Sequence, residues 1–370
     1  MIGYKNLKKA IWISSMCIMA SGLMALYSAS YNNSRVDRGV FFDQLWCALI
    51  ALGLMYVLSR LDYRKFFEIA YPLYAINVIL LVLTYFLGRE ALGATRWITI
   101  AGLSFQPSEL MKLTLILMLG RYLSQRRPRL AFTLSSSFLT VWWDLIFPFL
   151  LVAVPMLLIF KQPDLGTALL VMGIFIIMLY ASGINQRIFG WFLGACLVAM
   201  PFGWHVLRAY QKDRLLVFLN PNIDPLGAGY TIIQSKIAVG SGGLVGKGWL
   251  SGTQNQLNFL PERHTDFIFS VIGEEWGLLG SMFVVACYSV LIYCGFKIAE
   301  SVKEQFGQFV TVGIVSILAL QAVINIGMVM GMFPVVGITL PLVSYGRTSF
   351  MVFAVMLGFL LNLSKKRSIF

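Results

Sequence analysis

Apolar stretches long enough to cross a bilayer recur along almost the whole chain, and this repetition constrains the fold more than any single motif. A hydrocarbon core of roughly 30 Å takes about 20 helical residues to span. Ten stretches approach or meet that length: 10–30, 41–59, 67–87, 107–123, 145–160, 165–182, 186–205, 267–296, 307–332 and 340–363. The fifth and sixth are short, and Glu274 and Glu275 interrupt the eighth. Composition agrees, with 58% of residues hydrophobic and 12% charged, against about 45–50% apolar and about 25% charged in a soluble chain. The expected fold is an all-α integral membrane protein with about ten transmembrane helices. Residues 1–370 would form a single polytopic membrane domain, with one large extracytoplasmic loop, 206–266, between helices 7 and 8. The first stretch follows Lys5, Lys8 and Lys9 and leads into further spans, so an uncleaved anchor is expected rather than a signal peptide.

The formal net charge of +13 raises the question of nucleic acid, but its distribution answers otherwise. With the N-terminus in the cytoplasm, most Lys and Arg fall in inner loops and tails, among them Arg60, Arg64, Lys65, Arg121, Arg126, Arg127, Lys365, Lys366 and Arg367. The short outer loops carry only Arg35, Arg38, Arg89, Arg96 and Lys161. That bias is a topology signal placing both termini in the cytoplasm, and no nucleic-acid partner is expected. The cysteines (Cys17, Cys47, Cys196, Cys287, Cys294) all sit in apolar stretches. They form no outer disulfide framework and lack zinc-site spacing, so they are expected to pack as small apolar residues.

The 206–266 loop is too long for a mere connector. Within it VLRAYQKDRLLVFLNP predicts a helix, DPLGAG a turn, and GYTIIQSKIAV an amphipathic helix with Ile232, Ile233 and Ile237 on one side. A helix of that kind lies in the membrane interface or re-enters the bilayer. A second outer loop, LGREALGATRWITIAGLSFQ, offers Trp97, Ile98, Ile100 and Leu103 for a small hairpin.

Charged side chains inside a span are costly and mark functional candidates by default. Glu109 and Lys112 stand three apart at the head of the fourth span, on one helix face, and a structural ion pair is the plain alternative. Asp164 in KQPDLGT precedes the sixth span and would also serve as an N-cap. Arg347 in SYGRTS lies early in the tenth, where it could instead snorkel to the headgroups. Asp266, in FLPERHTDFIF, heads the eighth span beside Glu262, Arg263 and His264; again an N-cap is the alternative. The run GSGGLVGKG fails as a Walker loop, because Ser241 stands where the first glycine is required and Gly248 follows Lys247. A flexible outer loop remains, able to bring Lys236 and Lys247 to an anionic headgroup. No G-x-S-x-G elbow exists, and a single outer histidine, His264, builds no metal site. An outer-face reaction would therefore rest on a carboxylate with cations around it, a set of parts suited to glycosyl transfer from a lipid diphosphate sugar.

The segments GATRWITIAGLSFQPSELMK, KQPDLGT, DPLGAGYTIIQSKIAVGSGG, GTQNQLNFLPERHTDFIFSVIGEEWG and PLVSYG together resemble the SEDS family (shape, elongation, division and sporulation). Arg263 in the fourth segment is closer to the rod-shape branch than to the division branch, which typically has alanine there. The resemblance implies an inverting peptidoglycan glycosyltransferase of the bacterial inner membrane. Its substrate would be lipid II, a disaccharide pentapeptide on undecaprenyl diphosphate, polymerised at the outer face during cell elongation. It implies Asp266 as the catalytic residue, activating the acceptor 4-hydroxyl. Glu109 and Lys112 would shape the substrate cavity, with Asp164 as support. Arg96, Lys236, Lys247, Arg263 and Arg347 complete the candidate substrate-binding set. The implied partners are membrane lipids and a class B penicillin-binding protein acting as transpeptidase. No metal ligands are assigned and no cofactor is expected, with a divalent cation left open. One departure stands out: the family reads SYGGSS or SYGGSA where this chain has Ser344-Tyr345-Gly346-Arg347-Thr348-Ser349. Two other readings compete with a polymerase, a lipid II flippase and a non-enzymatic scaffold for a transpeptidase. Substituting Asp266 separates them.

Overall fold

The computed structural model describes residues 4–31, 35–91, 94–100, 103–131, 138–227 and 229–364. Helices occupy all ten predicted intervals: α1 (Tyr4–Ser30), α2 (Arg35–Leu58), α3 (Arg64–Leu87), α4 (Pro107–Ala131), α5 (Phe138–Lys161), α6 (Leu165–Ala181) and α7 (Gln186–Val206), then α11 (Ile268–Ser301), α12 (Gln305–Val329) and α13 (Arg347–Leu363). The 206–266 loop contributes α8 (Ala209–Leu219), α9 (Tyr230–Ser241) and the single turn α10 (Thr253–Gln256). Six of the described helices, α1, α2, α3, α7, α11 and α12, are long and apolar enough to cross a membrane. The chain is thus a mostly helical, multi-pass membrane protein. Large apolar side chains such as Phe86, Leu87, Trp191, Val198 and Phe202 face outward. Lipid rather than water is the solvent in which such a surface is stable.

Three details differ from the sequence expectation. The 87–106 loop is a three-stranded antiparallel sheet rather than a hairpin: β1 (Arg89–Ala91), β2 (Ala94–Ile100) and β3 (Leu103–Phe105), in the order β1-β2-β3. The pairing sets Arg89 opposite Trp97 and Ile98 opposite Phe105. Second, α9 buries Ile232, Ser235 and Ala238 while Ile237 is exposed, so the isoleucines do not form one face. Third, the tenth apolar stretch is helical only from Arg347; residues 340–346 form an irregular turn.

The chain divides into two compact units, each assembled from separated stretches. The first comprises Met1–Tyr56, Arg208–Cys294 and Leu318–Val355; the second comprises Val57–Leu207, Gly295–Ile317 and Met356–Phe370. In the first, α1 approaches the 340–346 turn so closely that a methyl group on Gly22 would lie 2.7 Å from the Val343 Cα. In the second, Arg121 of α4 stacks on Phe67 and Tyr71 of α3 at 4.7 and 4.4 Å from the ring centroids. It also donates to the Phe67 and Glu68 carbonyls, at 2.8 Å each. Below, Phe66 meets Phe359 edge-on at 4.7 Å.

Candidate active site

The FLPERHTDFIF segment lies in the first unit and enters α11 through a tight turn. Glu262 takes a left-handed backbone (φ 51°), and its carbonyl accepts from Thr265 N and Phe267 N at 3.1 and 3.3 Å. Helix α11 starts at Ile268, so Phe267 rather than Asp266 holds the flanking position, and Ser270 N bonds back to the Phe267 carbonyl at 2.9 Å. Asp266 thus stands one residue before the flanking position.

What holds Asp266 is its backbone neighbourhood. Three consecutive carbonyls each accept a hydrogen bond from a different donor. His264 O accepts from Tyr345 N at 2.8 Å, Thr265 O from Ser344 Oγ at 2.5 Å, and Asp266 O from Asn325 Nδ2 at 2.8 Å. Asn325 also donates to Ile338 O at 2.6 Å, and Ser344 Oγ accepts from Leu340 N at 2.7 Å. One turn earlier on α12, Gln321 donates to Thr339 O at 2.9 Å; residues four apart share a helix face. The polar residues of α12 and the SYG turn thus fix the main chain under Asp266. The half-buried carboxylate is presented beside Gly337. A methyl group on Gly337 would lie 3.5 Å from Asp266 Oδ2 and 3.9 Å from Arg214 Nη1. Arg214, on α8, was not among the residues singled out in the sequence; its fragment, KDRLLVFLNP, reads as an ordinary helix.

The remaining candidates of this unit are placed as follows. Arg263 is buried: its Nε donates to Ala29 O at 3.2 Å and its Nη1 to Asn255 O at 2.9 Å and to Asn258 Oδ1. Those bonds give it a structural task, tying the turn to α1 and α10. Lys247 donates to Glu274 Oε1 and Thr253 Oγ1, both at 2.8 Å. Lys236 is exposed on α9, its aliphatic end packed against Gly331. Arg347 pairs with Asp43 of α2, and the adjacent Gln44 bonds Ser344 O and Gly346 N, at 3.4 Å each. Arg347 thus has an acidic partner on α2.

The glycine-rich run serves a different end from phosphate binding. Helix α11 breaks at Gly277 (φ 65°, ψ −157°), a conformation that glycine adopts at least cost. In an unbroken helix Leu278 N and Leu279 N would donate to the carbonyls of Glu274 and Glu275. Here they donate to Gly243 O (2.9 Å) and Leu244 O (3.1 Å), while Lys247 N and Gly248 N take over the two freed carbonyls at 3.0 and 3.1 Å. The loop 243–248 is spliced into the break, so these four main-chain groups keep partners. Glu274 also accepts from Gln254 N and Asn255 N at 3.0 and 3.3 Å, at the start of α10. Glu275 accepts from Ser28 Oγ and from Asn255 Nδ2. These are the two acids that interrupt the eighth apolar stretch.

In the second unit Lys112 Nζ lies 2.6 Å from Glu109 Oε2, the lysine fully buried and the glutamate nearly so. Arg96 of β2 donates to Gln162 O (3.2 Å) and Pro163 O. Asp164 caps α6, accepting from Thr167 N at 3.2 Å, and its second oxygen accepts from Gln106 Nε2 at 3.4 Å. Gln162 Nε2 in turn donates to Leu81 O at 2.9 Å. Arg96 and Asp164 together tie the sheet to the QPD turn. Among the described residues no three His, Cys, Asp or Glu side chains converge as metal ligands.

A multi-pass membrane protein with a carboxylate fixed at the head of a broken helix is the class that fold and site define. The profile of the cell cycle protein family, FTSW_RODA_SPOVE, matches residues 8–369. The peptidoglycan glycosyltransferase MrdB of Escherichia coli strain K12 is 39% identical over 369 residues, covering 97% of this chain and 96% of MrdB. Among solved structures, a chain from "Structural coordination of polymerization and crosslinking by a peptidoglycan synthase complex" superposes with a TM-score of 0.78 at 33% identity, over 96% of each chain. The rod shape determining protein RodA of Thermus thermophilus superposes with a TM-score of 0.69 at 29% identity, over 96% of this chain and 95% of RodA. The chain belongs to the FtsW/RodA/SpoVE family.

Proposed function

We propose that this chain is an inverting peptidoglycan glycosyltransferase that polymerises lipid II at the outer face of the membrane. Its family membership and its likeness to MrdB support the activity. The single observation that carries the choice of base is the hold on residues 264–266, whose three carbonyls are pinned by Tyr345, Ser344 and Asn325. Such anchoring costs conformational entropy and is worth keeping where a side chain must be held in one place.

Asp266 removes the proton from the acceptor sugar's 4-hydroxyl. The oxygen attacks the donor's anomeric carbon, and the bond from that carbon to undecaprenyl diphosphate breaks with its electron pair leaving on the phosphate. Configuration at the carbon inverts, and the proton passes from Asp266 to water. General base catalysis of this kind contributes roughly 10²–10⁴-fold. The ten helices in the predicted intervals cross the bacterial inner membrane with both termini in the cytoplasm. Residues 1–370 act as one polytopic domain, working with a class B penicillin-binding protein that crosslinks the product.

The test is a gel of glycan products from labelled lipid II, made by the purified protein with its cognate transpeptidase. Wild type is expected to give a ladder and Asp266→Asn none, at equal melting temperature. Equal ladders from both would remove Asp266 from the chemistry. No ladder from either, with lipid II crossing liposome membranes, would establish the transport reading.

A further inference from the structure

The polymerase reading supplies a base but assigns no particular cation to the departing diphosphate. Arg263 and Lys247 are committed to structural bonds, and Arg347 is paired with Asp43. Arg214 is placed otherwise. Its α8 helix lies in the 206–266 loop, the residue is exposed, and its hydrogen bond is from Nη1 to Val335 O at 3.2 Å. A guanidinium carries five donors, so one bond to a carbonyl orients the fork and leaves donors for an anion. The Val335 bond also fixes the side chain two residues before Gly337.

Gly337 is the second observation, independent of the first. Its φ of 70° lies in the left-handed region, and both Asp266 Oδ2 and Arg214 Nη1 lie within 4 Å of the place its missing side chain would take, at 3.5 and 3.9 Å. A carboxylate and a guanidinium that face one opening without filling it form a bipolar site. It suits a substrate that is losing a proton at one end and gaining negative charge at the other.

We propose that Arg214, which borders Gly337 together with Asp266, binds the diphosphate of the lipid-linked donor and stabilises it as it leaves. The proposal rests on the polymerase reading for its chemistry but not for its binding prediction. As the carbon–oxygen bond breaks, the terminal phosphate oxygen gains a full negative charge, and a charge-assisted bond to Arg214 strengthens at that moment. Arginine suits this better than lysine because its planar fork can engage two phosphate oxygens.

The experiment compares full-length wild type, Arg214→Gln and Arg214→Lys for binding of undecaprenyl diphosphate and undecaprenyl monophosphate, and for polymerisation of lipid II. The expected result is that Arg214→Gln binds the diphosphate roughly tenfold or more weakly. The monophosphate should be far less affected. Lysine should recover part of the loss, and kcat/KM for lipid II should fall in the same order at unchanged melting temperature. A Gly337→Ala variant, closing the opening, should weaken diphosphate binding in the same sense. Unchanged binding in Arg214→Gln, or equal weakening toward both lipids, would overturn the proposal. So would a shifted pH–rate profile with diphosphate binding intact, since Arg214 would then act only on Asp266. If wild type discriminates the two lipids and Arg214→Gln does not, yet no glycan forms, the subsite stands and the polymerase reading falls.

Discussion

Single residues in this protein show how differently charge behaves when buried and when exposed. Lys112 is fully buried against Glu109, so removing it leaves a carboxylate in a dry interior. Lys112→Met is expected to destabilise by about 3–5 kcal/mol, and the double variant Glu109→Gln/Lys112→Met by clearly less. Thermal unfolding in detergent checks both; a double variant as unstable as the single one would contradict the account. Arg347 and Asp43 are each about a third or more exposed, and an ion pair of that kind contributes about 0–1 kcal/mol. Arg347→Gly should therefore shift the melting temperature little, and a collapse of the fold would show that the pair is misjudged. At this scale the sequence was legible where spacing decided the answer. Glu109 and Lys112 three apart and Asp164 before a helix both did what local rules require. It gave no sign of the bonds from Arg263 to Ala29 O and from Lys247 to Glu274, because these acceptors stand far away in the chain and no local pattern encodes them.

Among the elements, α11 departs most from what its apolarity suggests. It reads as one membrane helix with two misplaced acids, yet it breaks at Gly277 and takes the 243–248 loop into the gap. A methyl group on Gly277 would lie 2.3 Å from Gly246 N and 2.8 Å from Leu244 O, so Gly277→Ala must push the loop out. The expected cost is at least about 2 kcal/mol, from a strained backbone and orphaned main-chain groups. Proteolysis of the detergent-solubilised variant should then cut within 240–252; a protease-resistant Gly277→Ala protein would argue against the splice. The SYG turn and α12 act as a second such device. Asn325→Leu should release Asp266 O and Ile338 O from their shared donor and slow polymerisation more than it lowers stability. If the variant polymerises lipid II at the wild-type rate, the anchoring of residues 264–266 has no part in catalysis. Neither device was visible in sequence. The glycines and the Ser344-Tyr345-Gly346 motif could be flagged as irregular, but their hydrogen-bond partners lie across long stretches of chain.

For the whole molecule, the pattern of apolar stretches anticipated the helices well, because each stretch must bury its own main-chain hydrogen bonds in lipid. It could not anticipate that each compact unit is assembled from three separated stretches of sequence, since hydropathy carries no information about which helices pack together. The proposed topology makes its own prediction. A cytoplasmic reporter fused after residue 364 should be active, and one inserted near Leu226, an exposed residue of the 206–266 loop, should not; the reverse pattern would contradict both termini being inside. The central claim is that Asp266 acts on the reaction rather than on substrate capture or folding. It is tested most directly by measuring lipid II binding and turnover side by side on wild type and Asp266→Asn. The account predicts binding within about twofold of wild type with turnover reduced at least about 10²-fold. Turnover that survives the substitution, or turnover and binding lost together, would contradict it.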